Sequence, residues 1–383
     1  MDQFLVHEVA VQGPATHVLI MGVGTYPHLN GGTGLLTTKH GGMGQLTSCP
    51  ESARAFATWV IAEFNPPAPL ASVALLLSEP TPAHFTHPTT HDILDVAPAT
   101  IDNIETALNA WRDRGDSGAG MRLVLFFSGH GIAAGRDLTL LAQDYGAKRH
   151  NPLDGAFDFR NLFDSMELST AREQLYFVDA CRVGSRSLLS AGQNNGRPIF
   201  QQDMLAPSPP VIRRAPTFYS ALPGERAFGL PGEPSVFTRA LLEGLRAYGA
   251  DDTDDGQWQV TPTRLSDALE EIMALQAPEL GRLPVPAAEH HGRVVIHSLS
   301  TPPDGLAIVE CDPGEAMSSA TLSCFEDTAV RARREPANQA WALRLPEGRY
   351  RFVADFPAGP YAHSEVDRRV HPPIMHVRLR ALP

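Results

Sequence analysis

No stretch of this chain approaches the roughly 18–20 apolar residues that a membrane-spanning helix requires. The opening MDQFLVHEVA has no basic segment leading into an apolar core, so no secretory signal is expected either. Cysteine is scarce. Cys49, Cys181, Cys311 and Cys324 are too few and too scattered to form a disulfide framework in 383 residues, and Cys311 and Cys324 are expected to stay thiols. These absences together predict a reduced, cytoplasmic protein. Positive charge is also short, with 31 Lys and Arg against 43 Asp and Glu and a net charge of −12. Without a basic stripe carrying interleaved aromatics, no nucleic-acid partner is expected, and no membrane partner. The acidic balance favours a positively charged substrate segment over an acidic one. Internal repeats and low-complexity tracts are missing as well.

What is present is enough for a core: 43% of the residues are hydrophobic and 19% charged, which argues against disorder. The length predicts one large domain and a smaller one. Thirty-three prolines and 32 glycines imply long irregular connections. His17–Gly24 (HVLIMGVG), Ser72–Leu77, Arg122–Phe127 and Leu175–Val178 are near-continuous apolar runs, the pattern of strands buried on both faces of a parallel sheet. Between them, Ser52–Phe64, Thr100–Arg114 (with Thr100 as cap) and Phe157–Glu167 have helical spacing. Residues 79–98 are expected to be a Pro/Thr/His loop, and Asp137–Asp144 is hairpin-like. The order is that of an α/β fold. Ser185–Pro216 interrupts it with Gly, Asn, Gln and Pro. Order resumes with Thr217–Leu222, helices over Ser235–Tyr248 and from Pro262 to about Met273, and a strand Arg293–Ser298. From 301 to 383, five short alternating segments separated by DPG, PEG and PAGP turns predict a small all-β, sandwich-like domain. They are Leu306–Cys311, Ala320–Phe325, Ala340–Leu345, Tyr350–Phe356 and Ile374–Leu382.

Two segments carry chemistry. In Leu123–Gly131 (LVLFFSGHG) an apolar strand runs into His130, flanked by glycines. In Leu175–Arg182 (LYFVDACR) another runs into Cys181. Ligands of open α/β sheets bind outside the carboxyl ends of the strands, so adjacent strands would hold both side chains over one crevice. A thiol needs an imidazole to raise its thiolate fraction and to protonate the departing amine. The N–H groups of Gly131 and Cys181 are the natural oxyanion donors. Taken singly, a strand-end cysteine is most often a small buried hydrophobe and a histidine beside glycine a loop residue. Their pairing at matching strand ends favours a catalytic dyad.

S-G-H-G after one strand and D-A-C-R after the next resemble the caspase/metacaspase family of clan CD cysteine peptidases, whose histidine lies about 50 residues before the cysteine, as here. The resemblance extends over Ser52–Phe64, the N-I-x-x-A-L of Asn103–Leu108, the F-Y-S-A of Phe218–Ala221 and Ser235–Leu245, and so over roughly residues 16–300. It implies a six-stranded, mostly parallel sheet with helices on both faces. The peptidase domain would occupy residues 1–300, with a large-subunit-like part (about 16–185), a linker (185–216) and a small-subunit-like part (about 217–300). The accessory domain would occupy 301–383. It further implies hydrolysis of peptide bonds in protein or peptide substrates. Asp179 stands where caspases carry Gln and where metacaspases carry an Asp that binds Arg or Lys at P1, the substrate residue before the cut. Ser220 is the matching substrate-binding residue of the later segment. A second acidic pocket residue of metacaspases aligns with Ser52, and Glu51 precedes it. Many caspases are cut between these parts by themselves or by an upstream protease, and Arg186, Arg197, Arg213 and Arg214 are the corresponding processing candidates.

Gly22-Val23-Gly24 lacks the third glycine of a dinucleotide fingerprint, because Pro27 occupies its position. His84, His87 and His91 have metal-like spacing, but Pro82 and Pro88 argue for a polar loop. Asp251–Gly256 begins like a calcium loop and fails at position twelve, Pro262. No metal or other cofactor is expected, and no acidic cluster stands out for the calcium that some metacaspases require. The competing readings are a catalytically idle caspase-fold module serving binding or scaffolding, and a transferase or esterase that reuses the thiol. Localisation in a cytoplasmic stress or defence response is an analogy of fold alone.

Overall fold

The computed structural model describes residues 3–134, 137–181, 196–200, 211–221, 231–253, 256–276, 287–289, 294–357 and 360–382. The chain divides into two compact units, one of Met1–Leu242 with Gln276–Ser298 and the other of Glu243–Leu275 with Leu299–Pro383.

The first unit is built on β1 (Leu5–Glu8), β2 (Thr16–Val23), β3 (Leu70–Ser78), β4 (Ala83–Thr86), β5 (Ile93–Val96), β6 (Arg122–Gly129), β7 (Gly131–Ala134), β8 (Asp137–Leu141), β9 (Ala156–Asp158), β10 (Glu173–Ala180) and β11 (Thr217–Tyr219). Its helices include α1 (Ser48–Ala62), α2 (Ile101–Gly115) and α3 (Phe159–Ser165). Among the described residues the main sheet has seven strands, in the order β1-β3-β2-β6-β10-β11 and then Ala287–Glu289. The five from β3 to β11 are parallel, and the two edges are antiparallel. This is the caspase-like α/β fold, with one strand more than the six expected. Leu5–Glu8 is too short for its pattern to stand out.

All eight residues of β2 and all eight of β6 are buried, which explains their unbroken apolar runs. On one face, α1 stacks Phe56 on Phe126 at 4.5 Å, with Phe177 and Phe218 continuing the aromatic row. On the other, α2 buries Ile104, Leu108 and Trp111 against Leu19, Leu125 and Tyr176. Thr100 caps α2 by accepting a hydrogen bond from the Asn103 N–H.

Three expectations are corrected. Residues 79–98 hold the β4–β5 hairpin rather than a loop, with His84 against Asp95 at 2.9 Å and His87 Nε2 against His7 Nδ1 at 3.1 Å. The helix expected from Phe157 starts at Phe159, because Phe157 belongs to β9 and Asp158 caps the helix. The helix Ser235–Tyr248 is α-helical over Val236–Glu243 and π-helical over Gly244–Tyr248.

In the second unit, two sheets share one apolar core that includes Val309, Cys324, Trp341, Phe352 and Val377. One sheet places Gly305–Asp312 between Trp341–Leu345 and Ile374–Arg380. The other runs Ala329–Arg334, Thr321–Glu326, Gly348–Asp355, Ser364–Val370. Cys311 and Cys324 sit in this core, and neither forms a disulfide. Of the run that begins at Asp251, Asp251 and Asp252 belong to the short strand Ala250–Asp252, which pairs with Trp258–Val260, and the Thr253 N–H donates to the Gln257 carbonyl.

His17 and His297 are buried in the first unit, the former bonded to Ser72 at 2.8 Å and the latter accepting from the Asn65 N–H at 2.9 Å. Burial pushes both imidazoles down from 6.5 to about 4. In the unfolded chain they titrate near 6.5, so unfolding takes up protons below that pH. The stability they contribute is complete above about pH 6.5 and is lost as pH falls toward 4. The thermal midpoint is expected to drop across this window, and His297→Gln, which keeps an acceptor for Asn65, to flatten the drop. A midpoint constant from pH 6.5 to 4.5 contradicts this account.

Candidate active site

β6 and β10 pair in parallel with Asp179 opposite Ser128 and Ala180 opposite Gly129. His130 and Cys181 are the next residues of the two strands, whose backbones run about 5 Å apart. Both candidates therefore emerge side by side at the carboxyl end of the sheet. The spacing of their backbones is tight: a Cβ placed on Gly131 would lie 2.5 Å from the Cys181 carbonyl oxygen. No residue larger than glycine fits there without moving one strand end.

The sheet changes at His130. β6 ends at Gly129, and β7 begins at Gly131 in a separate small sheet with β8 and β9. The Leu141 N–H donates to the His130 carbonyl at 3.0 Å. In an antiparallel ladder bonded pairs alternate with non-bonded ones, so at the next pair, Gly131 and Leu140, the Gly131 N–H turns away from β8. The His130 N–H donates to the Tyr26 hydroxyl at 2.9 Å.

The imidazole is buried, 7% exposed, and its Nε2 lies 2.7 Å from the Gly44 carbonyl oxygen. A carbonyl only accepts, so Nε2 carries the proton of this bond and Nδ1 is the unprotonated nitrogen of the neutral ring. Burial lowers the pKa of His130 below its ordinary value, with the Gly44 bond acting the other way. Neutral imidazole is the form favoured at neutral pH.

Asp179 is 3% exposed and surrounded by hydroxyls. Ser235 Oγ donates to Asp179 Oδ2 at 2.5 Å, Thr238 Oγ1 at 3.0 Å and Ser128 Oγ at 3.3 Å, and Ser220 is a fourth hydroxyl partner. Ser220 also donates to the Ala180 carbonyl at 3.3 Å. Ser235 acts twice, because its Oγ accepts from the Thr238 N–H at the start of helix Val236–Glu243. Among the described residues no Lys or Arg pairs with Asp179. Burial raises its carboxyl pKa, and the four hydroxyls oppose that rise.

Ser52 reaches this cluster, accepting from the Ser235 N–H at 2.9 Å. Its neighbour Glu51 does not. The Glu51 carboxylate holds Arg54 at 2.9 Å, together with Glu79 at 2.5 Å. Cys49 lies at the start of α1, buried beside Asp179 and Ser128. Burial first, and then the Asp179 charge, push its thiol up to about 12, so it stays protonated.

Three of the four processing candidates are pinned. The Arg197 guanidinium meets Asp102, Glu105 and Asp154, and its backbone bridges to Phe157. Arg213 pairs with Glu167 at 3.0 Å and lies over the Phe163 ring. Arg214 pairs with Glu173 and bridges it through the backbone. Arg186 lies outside the described residues. Sequence reasoning missed Tyr26, Gly44, Ser235 and Thr238. For the last two, the S-V-F-T run that opens the helix was the available signal.

A family model for the caspase domain of C14 peptidases matches residues 81–282, just over half of the chain. An uncharacterized protein of Sinorhizobium fredii is 26% identical over 310 residues, covering 79% of this chain and 84% of its own. A probable protease of a Desulfuromonadales bacterium is 31% identical over 166 residues, which is 40% of this chain and only 18% of that protein. A crystal structure of caspase-1 from Spodoptera frugiperda covers 78% of this chain and 98% of its own, with 12% identity and a TM-score of 0.42. A Geobacter sulfurreducens protein structure covers 76% and 95%, with 14% identity and a TM-score of 0.38.

Because a methyl group on Gly131 would meet the Cys181 carbonyl, Gly131→Ala is expected to separate the two strand ends. Activity on a cleavable substrate should fall by about 10²-fold, the loss typical when reacting groups are displaced by about 1 Å. The melting curve should remain cooperative. Wild-type turnover by this variant would show that the two strand ends are not a working unit.

Proposed function

The chain belongs to the caspase-domain family of peptidases, and from that membership we propose that it is a cysteine endopeptidase in which Cys181 attacks and His130 moves the proton, cutting after Arg or Lys. The observation that carries this reading is the placing of Cys181 and His130 on adjacent strand ends, with Nε2 tied to the Gly44 carbonyl and Nδ1 left as the working nitrogen.

The steps follow from the groups present. His130 Nδ1 takes the thiol proton, and the Cys181 sulfur adds to the carbonyl carbon of the scissile bond. The resulting oxyanion accepts from the N–H groups of Gly131 and Cys181. The imidazolium returns its proton to the leaving amine as the C–N bond breaks, leaving an acyl-thioester on Cys181. Water, deprotonated by the same nitrogen, then hydrolyses the thioester and regenerates the thiol.

The basic preference at P1 rests on Asp179. A buried carboxylate with three hydroxyl donors, a fourth hydroxyl beside it and no cationic partner among the described residues is short of one positive charge. A P1 guanidinium or ammonium supplies it. Ser128, Ser220, Ser235 and Thr238 shape this niche, and Ser52 supports it through the Ser235 backbone. Glu51, engaged by Arg54, acts at most at the rim. Activating cleavage in the 185–216 linker, by the enzyme itself or by an upstream protease, is part of this reading, and cutting at Arg197, Arg213 or Arg214 requires melting the bridges that hold them.

The test is a panel of fluorogenic peptides differing only at P1, run on wild type and on Cys181→Ala, His130→Ala and Asp179→Asn. Wild type is expected to prefer Arg or Lys over Asp. Cys181→Ala should be inactive and His130→Ala weaker by orders of magnitude. Asp179→Asn should lose about 10²–10³-fold in kcat/KM on basic peptides, the value of a desolvated ion pair. Undiminished cleavage by Cys181→Ala would end the peptidase mechanism, and a P1 Asp preference would end the role given to Asp179. An intact fold with no cleavage of any peptide points instead to a binding module.

A further inference from the structure

The sheet change at His130 leaves a gap in the β7–β8 ladder. The His130 carbonyl accepts from Leu141 N–H, but the reciprocal bond from His130 N–H to the Leu141 carbonyl is not made directly. The Tyr26 hydroxyl fills that place. It accepts from His130 N–H at 2.9 Å and donates to the Leu141 carbonyl at 3.5 Å, and its ring lies 4.9 Å from the imidazole. Tyr26 is fully buried.

Tyr26 is itself clamped by one side chain. The Gln45 amide accepts from Tyr26 N–H at 2.8 Å and donates to the Tyr26 carbonyl at 2.9 Å and to the Asn30 carbonyl at 3.0 Å. Gln45 directly follows Gly44, whose carbonyl holds His130 Nε2. Asn30 ties the same two segments through Met43 and bridges to Gly44. One laced bracket therefore grips the histidine at two points, its backbone N–H and its ring.

We propose that Tyr26 and Gln45 are positioning residues for His130, fixing the height of the imidazole above the sheet so that Nδ1 stays directed at Cys181. The proposal rests on the dyad reading above and adds to it the two side chains that set its geometry. Without the hydroxyl, His130 N–H and the Leu141 carbonyl must either stay unpaired while buried or close on each other, and closure carries the imidazole toward β8. Without the Gln45 amide, Tyr26 and the Gly44 carbonyl lose their common anchor.

The experiment compares wild type, Tyr26→Phe, Gln45→Ala and Cys181→Ala on a peptide that wild type cleaves, with kcat and KM measured from pH 5 to 9 and melting curves for each. Tyr26→Phe and Gln45→Ala are expected to lose roughly 10–100-fold in kcat with KM nearly unchanged. Water admitted beside the ring should move the acid limb of kcat/KM upward in pH. Gln45→Glu, which keeps the acceptor for Tyr26 N–H but loses the donor, should fall between Gln45→Ala and wild type. If Cys181→Ala is inactive while Tyr26→Phe and Gln45→Ala turn over at the wild-type rate with an unshifted limb, the positioning role is overturned and the dyad stands. Activity in Cys181→Ala overturns both. A proportional loss of kcat and of melting temperature with no shift of the limb assigns these residues to stability alone and also overturns the role. Should Tyr26→Phe fail to fold, Gln45→Ala decides the matter by the same readings.

Discussion

Everything at the candidate site depends on the register between β6 and β10. These strands are buried on both faces, so alternate residues serve different layers: Phe126 and Phe177 face α1, while Leu125 and Tyr176 face α2. A slip of one residue would send the aromatic row into the α2 layer and the α2 contacts into the aromatic row, exchanging large side chains at every position. Packing therefore forbids the slip. Because it is forbidden, Asp179 must lie opposite Ser128 and Cys181 beside His130. The hydrophobic layers set the chemical geometry before any polar interaction acts.

The polar groups are then placed where charge is disfavoured. His130 is held toward its neutral form and Asp179 toward its protonated form by the same cause, removal from water. Among the described residues the side chains that hydrogen-bond this carboxylate are hydroxyls, whereas an arginine would have neutralised it permanently. A hydroxyl stabilises an anion by donating its proton and leaves the charge itself in place. Cys49 shows the contrast with Cys181. Enclosed beside the same carboxylate, its thiol is pushed up to about 12 and is removed from nucleophilic chemistry. The two cysteines near one site differ in setting, because one is buried in the first turn of α1 and the other stands at a strand end.

Much of this was legible in the sequence because it is local. Continuous apolar runs mark the buried strands, glycines mark the close approach at Gly131, and Thr100 caps the helix it precedes. The omissions have a common physical origin. Leu5–Glu8, the β4–β5 hairpin, Ala329–Arg334 and Ser364–Val370 are short or lie at edges, so they carry no apolar run and too few residues for an alternation to stand out. At the site, the acceptor for His130 Nε2 is a backbone carbonyl, which has no side-chain signature at all. Tyr26 and Gln45 sit within a glycine-rich stretch and act on a residue about a hundred positions away. Only the folded chain brings them to it. Glu51 is the reverse case, a carboxylate plausible by position that its own helix had already engaged with Arg54.

The same geometry bears on what a cut between the two halves of the first unit would do. Cys181 and Asp179 precede residue 185, while Ser220, Ser235 and Thr238 follow residue 216. The two groups are joined by sheet pairing between β10 and β11, by the Ser220 N–H bonded to the Val178 carbonyl at 3.0 Å, and by the hydroxyls on Asp179. Arg214 extends this pairing further back along β10, its N–H donating to the Arg172 carbonyl and its own carbonyl accepting from Gln174 N–H. None of these bonds needs the intervening chain to be continuous. The β10–β11 pairing, the Ser220 bond and the hydroxyls on Asp179 that join the two sides of the niche and the sheet therefore lie outside the 185–216 linker, and a cut within it breaks none of them.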